Sequence, residues 1–152
     1  MRSRLFVASV LVTILFTGSQ ASLAGASASP AAQLSKLKAL DGPFSQADNK
    51  WTNALSALSS SATVSQISKP SLAFVPALKT FDSGLQKAGF TGKIATEIAD
   101  VEKLNGQLVT LLSSIKSVKS FQSAFSSLFG KYLPVQAALA KDFGIATADV
   151  VI

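Results

Sequence analysis

The chain of 152 residues has no cysteine and no histidine. The missing cysteines exclude disulfide staples, thiol nucleophiles and thiolate metal sites. Without histidine the chain lacks the side chain whose ordinary pKa suits general acid–base work near neutrality, and the commonest metal ligand. Arginine is nearly absent: Arg2 and Arg4 are the only two, and both lie at the extreme N-terminus. Charge is sparse too, at 14% of residues. Prolines number 5 and tryptophans 1.

What is present begins with a leader. Arg2 and Arg4 are followed by an apolar run over residues 5–16 and then by a small-residue stretch ending Ala24-Gly25-Ala26-Ser27-Ala28. Basic, then apolar, then small is the layout of a secretory signal peptide. The apolar run is about twelve residues, short of the roughly 20 that a spanning helix needs. Ala24/Ala26 and Ala26/Ala28 both place small residues at the −3 and −1 positions, and cleavage is expected after Ala28. The chain is thus expected to comprise a signal peptide (1–28) and a single domain (29–152). The expected location is outside the cell or at the cell envelope, and no later segment is apolar enough to span a bilayer.

After Ala28 the chain carries 12 lysines against 8 acidic residues, a net charge of +4. A mildly basic surface of dispersed lysines without arginine does not read as a nucleic-acid footprint. It allows loose attraction to anionic envelope polymers or lipid head groups, and it serves solubility at least as well. A disulfide-free domain of 124 residues is long enough to stand on its own core.

That domain reads as helix throughout, with apolar residues recurring at three- and four-residue steps. Ser29 as cap and Pro30 as first helical residue open a short helix over residues 29–40, with Leu34, Leu37 and Leu40 as its stripe. Asp41-Gly42-Pro43 is expected to break it. A second helix is expected over 45–60, where Ser45 and Asp48 resemble a capping box. Phe44, Ala47, Trp51, Leu55 and Leu58 share its apolar face, and the hydroxyls of Ser59, Ser60, Ser61 and Thr63 weaken its end.

A third helix is expected over 70–88. It carries Phe74/Val75, Leu78, Phe81 and Leu85, starts or kinks at Pro76, and ends at Gly89 with Phe90 folding back onto Leu85. The longest pattern covers 91–117. Ile94, Ile98, Val101, Leu104, Leu108, Leu111, Ile115 and Val118 form a near-heptad seam about 40 Å long, with Lys93, Glu97, Asp100 and Lys103 largely off it. A last helix over 120–143 carries Phe121, Phe125, Leu128, Tyr132 and Leu139. A break is expected near Gly130 and Pro134, and a Schellman end at Gly144 and Ile145. The final residues, Asp149 to Ile152, are expected to pack as an extended end. The fold class expected is all-α: a small antiparallel up-and-down bundle of four main helices plus the short N-terminal one.

No catalytic set emerges. Ser35/Lys38 and Ser113/Lys116 match the S-x-x-K spacing of penicillin-recognising enzymes, but the S-D-N and K-T-G partners are missing. With 18 serines and 12 lysines in 124 residues, one or two such matches arise by chance. Glu97, Asp100 and Glu102 are the densest acids and lie beside Lys93 and Lys103, as on a solvated face. Asp142-Phe143-Gly144 spells a kinase tripeptide without its companion loops and reads as a helix end. There is no calcium loop and no phosphate-cradling glycine motif, so neither cofactor nor metal is expected, and the protein is not expected to be an enzyme.

The side chains that stand out are aromatic. Trp51, Phe74, Phe81, Phe121, Phe125 and Phe129 are candidates either for the bundle core or for the lining of an apolar cavity between helices. Two functions follow: a non-catalytic binding protein for an envelope component or protein partner, or a carrier or sensor of an apolar small molecule such as a fatty acid. The export signal, helical pattern and alanine- and serine-rich composition are together similar to those of fungal hydrophobic-surface-binding proteins. The likeness is one of composition, not of motif, and assigns no site residue.

Overall fold

The computed structural model describes residues 28–59, 61–147 and 150. The expected signal peptide (1–28) lies outside the described residues except for Ala28. Among the described residues there are four α-helices and no strand: α1 Pro30–Ser56, α2 Val64–Ala88, α3 Gly92–Ser113 and α4 Val118–Phe143. Each helix packs chiefly on its sequence neighbours, and α1 touches α4 lightly. Lys36, early in α1, donates to the carbonyls of Ala88 (2.7 Å) and Gly89 (3.3 Å) at the end of α2, so these two helices run antiparallel. The all-helical bundle is as expected from the periodicity.

The separate short N-terminal helix is not found. Residues 29–40 and 45–60 were expected to form two helices, but α1 runs through Asp41, Gly42 and Pro43 without interruption. Proline removes one hydrogen bond, to the carbonyl four residues earlier. Pro43 and Ala39 are both exposed, so water can take the bond that Pro43 cannot make. The same holds for Pro76 with Leu72, and for Pro134 with Gly130. These prolines all lie on the outer side of their helices, where a lost bond is hydrated rather than buried. Ser45 is therefore no cap; its hydroxyl donates to Asp41 Oδ1 one turn back, at 2.7 Å.

Other boundaries move for local reasons. α2 begins at Val64, six residues before the expected start, because Thr63 and Gln66 form a full capping box. The Thr63 N–H donates to Gln66 Oε1 (2.8 Å) and the Gln66 N–H to Thr63 Oγ1 (3.3 Å). α3 stops at Ser113 rather than 117, and Ser117 instead caps α4 by accepting from the Ser120 N–H (3.1 Å). Ile115 and Val118 thus leave the α3 seam but still pack on the core. Both expected glycine ends are present, Gly89 at φ 64° and Gly144 at φ 69°. At Gly144 the Schellman pair is complete: Ile145 N–H to Ala140 O (2.9 Å) and Gly144 N–H to Lys141 O (3.1 Å).

The core runs the length of the bundle, with Leu78, Val101 and Leu139 fully buried at its centre. Near the C-terminus Val150 is buried, and its carbonyl accepts from the Gln136 side chain. The rest of the expected extended end, Asp149, Val151 and Ile152, lies outside the described residues.

Candidate functional site

The aromatic residues chosen by spacing meet in space. Six rings form one continuous ladder across three helices. Phe81 stacks on Phe44 (centroids 4.3 Å apart), Phe44 lies 5.7 Å from Phe74, and Phe74 stacks on Trp51 at 4.9 Å. Trp51 meets the edge of Phe125 at 5.6 Å, and Phe125 lies 5.7 Å from Phe121. Offset and edge-on contacts at these spacings add to the gain from burial itself. Trp51, Phe74, Phe81 and Phe121 are buried, and Phe125 is half-buried against the core. Phe129 alone stands apart from the ladder: it is half-buried on α4 and lies outside the core cluster. Trp51 also donates its indole N–H to Ser71 Oγ at 3.2 Å, which satisfies the one polar atom of the ring inside the core.

One end of the ladder borders a groove of about 230 Å³ between α1 and α2, lined by Ala39, Leu40, Pro43, Phe44, Ala77, Thr80 and Phe81. Thr80 turns its hydroxyl to the Pro76 carbonyl at 2.9 Å, so the lining is almost wholly apolar. By volume the groove suits a ring or a short alkyl chain, since an apolar cavity of about 150 Å³ accepts benzene.

A second constellation, polar and buried, joins α2, α3 and α4. The Tyr132 hydroxyl (α4) donates to Asn105 Oδ1 (α3) at 2.6 Å, and Asn105 Nδ2 donates to Asp82 Oδ1 (α2) at 2.6 Å. Asn105 is 1% exposed. Burial raises the Asp82 carboxyl to about 6; the Asn105 bond opposes this and the Glu102 charge adds to it. Burial, and then the Asp82 charge, push the Tyr132 phenol well above its usual range, so it remains a donor.

A third polar link sits where α1 meets the α2–α3 turn. Buried Gln33 accepts from the Thr91 N–H at 2.7 Å and donates to the Ala28 carbonyl at 2.8 Å. Of these residues, sequence reasoning found Tyr132 only as an apolar position and missed Asp82, Asn105, Ser71 and Gln33. The spacing held the signal for two of them. Asn105 lies four after Val101, three before Leu108 and seven before Leu112, and Ser71 stands likewise to Ile67, Phe74 and Leu78. A polar residue at such a position is inside.

Glu97 is raised by burial, then by the charge and hydrogen bonding of Asp142, with Lys93 opposing and Asp100 adding. Its Oε2 atom is buried without a hydrogen-bond partner. On α1, Asp48 is raised to about 6 by burial and by Asp41. The Ser35 hydroxyl is committed to the Ala31 carbonyl at 3.0 Å, and Ser113 and Lys116 are both exposed. Among the described residues no group of three or more His, Cys, Asp or Glu is placed to hold a metal, and no helix is long and apolar enough to cross a membrane. Comparison with protein-family models, with curated proteins and with solved structures finds no match to this chain.

Proposed function

We propose that this chain is an exported, non-catalytic binding protein that meets an envelope component or a protein partner through its helical surface. The observation that carries this reading is the use made of its interior polar groups. Asn105, Tyr132, Ser71 and Gln33 all bond to other parts of the bundle, which leaves them as struts between elements rather than as groups converging on an open cleft. An enzyme of this composition would need a serine–lysine or paired-carboxylate centre, and the Ser35 hydroxyl is bonded to backbone. On the outside, lysines such as Lys50, Lys69, Lys79 and Lys131 are exposed, and Leu72 and Leu133 stand 52% and 50% exposed. The basic–apolar–small leader supports action outside the cytoplasm.

Expression of the full chain in a secretory host, followed by the mass of the released protein, tests export: the expected species starts at Ser29. Retention at full length inside the cell would remove the exported half of the reading. Native mass spectrometry of the released protein, before and after denaturation, then tests binding. A bound protein or polymer component is expected, and turnover abolished by a single serine or lysine change would overturn the non-catalytic assignment.

The groove between α1 and α2 favours a second reading, a carrier of a small apolar molecule. Its ring-lined wall suits an alkyl chain or a ring and offers almost no polar group to a larger polar ligand. Under this reading a fluorescent fatty-acid analogue binds saturably at one molecule per chain, and Ala77→Phe, which fills the groove, abolishes binding while the helical circular dichroism is kept.

A further inference from the structure

At three carboxyls of this protein burial is joined by the charge of a neighbouring acid. Asp48 is influenced by Asp41, Asp82 by Glu102, and Glu97 by Asp142 and Asp100; Lys93 is the cation that works against this at Glu97. Two of these acids lie on the two sides of α3. On the side toward α2, Asp82 accepts from Asn105, which in turn accepts from Tyr132, and the Glu102 charge acts on Asp82. On the side toward α4, Glu97 near the start of α3 has one oxygen buried and unpartnered, and Asp142 near the end of α4 acts on it by charge and hydrogen bonding.

We propose that α3 is held by a pH-sensitive seam, with Asp82, Asn105, Tyr132 and Glu102 on one side and Glu97 and Asp142 on the other, closed in acid and loosened as the medium becomes neutral. In acid, a proton on Asp82 removes a charge from beside Glu102 and from the end of a buried hydrogen-bond chain, while the Asn105 amide still has an oxygen to donate to. A proton on Glu97 discharges a buried oxygen and lets that carboxyl donate to Asp142. At neutral pH the Asp82 and Glu97 charges stand in partly desolvated surroundings, each near another acid, and are drawn toward water.

Among the other charged groups on the packed helices, Lys69, Lys79, Lys103, Lys119 and Lys131 are exposed, as are Lys93 and Asp100. On α1, Lys36 is bonded to the Ala88 and Gly89 carbonyls, Asp41 accepts from Ser45, and Lys38 has a partner of its own. Lys87 at the end of α2 and Lys141 at the end of α4 are exposed. A carboxyl that holds its proton more tightly folded than unfolded stabilises the fold below its ordinary value and loses that contribution as pH rises through its folded one. For Asp82 that window runs from 3.8 to about 6; for Glu97 it opens upward from 4.5.

The test is thermal unfolding of the full chain at pH 5.0 and 7.5, with Asp82→Asn, Glu97→Gln and the double variant beside the parent. Asp48→Asn serves as a control on α1. The parent Tm is expected to fall by roughly 5 °C or more between the two pH values, and the double variant to lose at least half of that fall. Asp48→Asn is expected to raise the Tm at pH 7.5 without slowing amide exchange in α3, whereas the double variant slows it. A Tm that is equal or higher at pH 7.5 overturns the proposal, as does a double variant that keeps the full pH slope. Should either carboxamide variant fail to fold, the carboxyl carbon shifts of the parent decide. Midpoints for Asp82 and Glu97 above the ordinary carboxylate range uphold the seam, and midpoints within that range remove it.

Discussion

Asn105 is the residue on which the interior depends most. It is the middle member of a three-helix chain, donating to Asp82 and accepting from Tyr132, and it is almost completely buried. Removing it leaves two polar groups without a partner, and an unsatisfied buried group costs about 1–3 kcal/mol. Asn105→Ala is therefore expected to cost about 3–5 kcal/mol once the lost packing is included. Tyr132→Phe keeps the ring and orphans a single acceptor, so it is expected to cost about 1–2 kcal/mol. Urea unfolding of both variants checks the order; equal losses would show that the chain of bonds is not what holds Asn105 in place. A polar residue in a buried register contributes nothing to an apolar stripe, so Asn105 is not legible beside Leu104, although its spacing from Val101 and Leu108 marks the same face.

At the scale of the element, what stops a helix here is local capping rather than proline. α2 starts where Thr63 and Gln66 supply two reciprocal bonds, and α4 starts where Ser117 accepts from Ser120. Loss of a cap costs about 1 kcal/mol, so Thr63→Ala is expected to lower stability by about that amount. Fraying is expected at residues 64–67, seen as faster amide exchange there than in the rest of α2. Pro43 makes the opposite case. It sits inside α1, exposed, with the preceding turn also exposed, so its cost is a missing backbone bond and not a broken helix. Pro43→Ala restores that bond and is expected to stabilise the fold by about 1–2 kcal/mol, less than the full intrinsic penalty of about 3 because the outer turn is already hydrated. A destabilised Pro43→Ala protein would mean that the ring itself is needed at the groove, which it lines together with Leu40 and Phe44.

For the whole molecule, the aromatic ladder and the groove share two residues, Phe44 and Phe81, and that makes a substitution at Phe81 informative about function. Phe81 is buried, stacks on Phe44 and forms part of the groove wall. As plain core, Phe81→Ala costs about 3–5 kcal/mol. As a ligand wall next to open space, it loses less stability and more binding. Thermal unfolding with and without a fluorescent fatty acid separates the two: a large stability loss with no ligand effect supports the surface-binding protein, and a small loss with abolished binding supports the carrier. Phe129→Ala, at a half-buried position outside the core cluster, is expected to change stability by less than about 1 kcal/mol; a defect in partner capture at unchanged stability would mark Phe129 as a contact residue.

The bundle class, the helix ends at Gly89 and Gly144, and the helical spacing of the aromatic candidates followed from the chain alone. Each depends on a short-range rule: a 3.6-residue repeat, a left-handed glycine, rings at helical spacing. That five of the six aromatic candidates pack as one set is a finding of the structure. The continuity of α1 did not follow, because whether a proline breaks a helix depends on whether the turn before it faces water or protein, and only the packing of α1 on α2 determines that. The polar chain from Asp82 through Asn105 to Tyr132 joins residues 23 and 27 positions apart on three helices. Its existence is a matter of how α3 is rotated between its neighbours, which no local pattern encodes. The raised carboxyls arise in the same way. An acidic residue reads as surface until the tertiary structure buries part of it and brings the charge of another acid near.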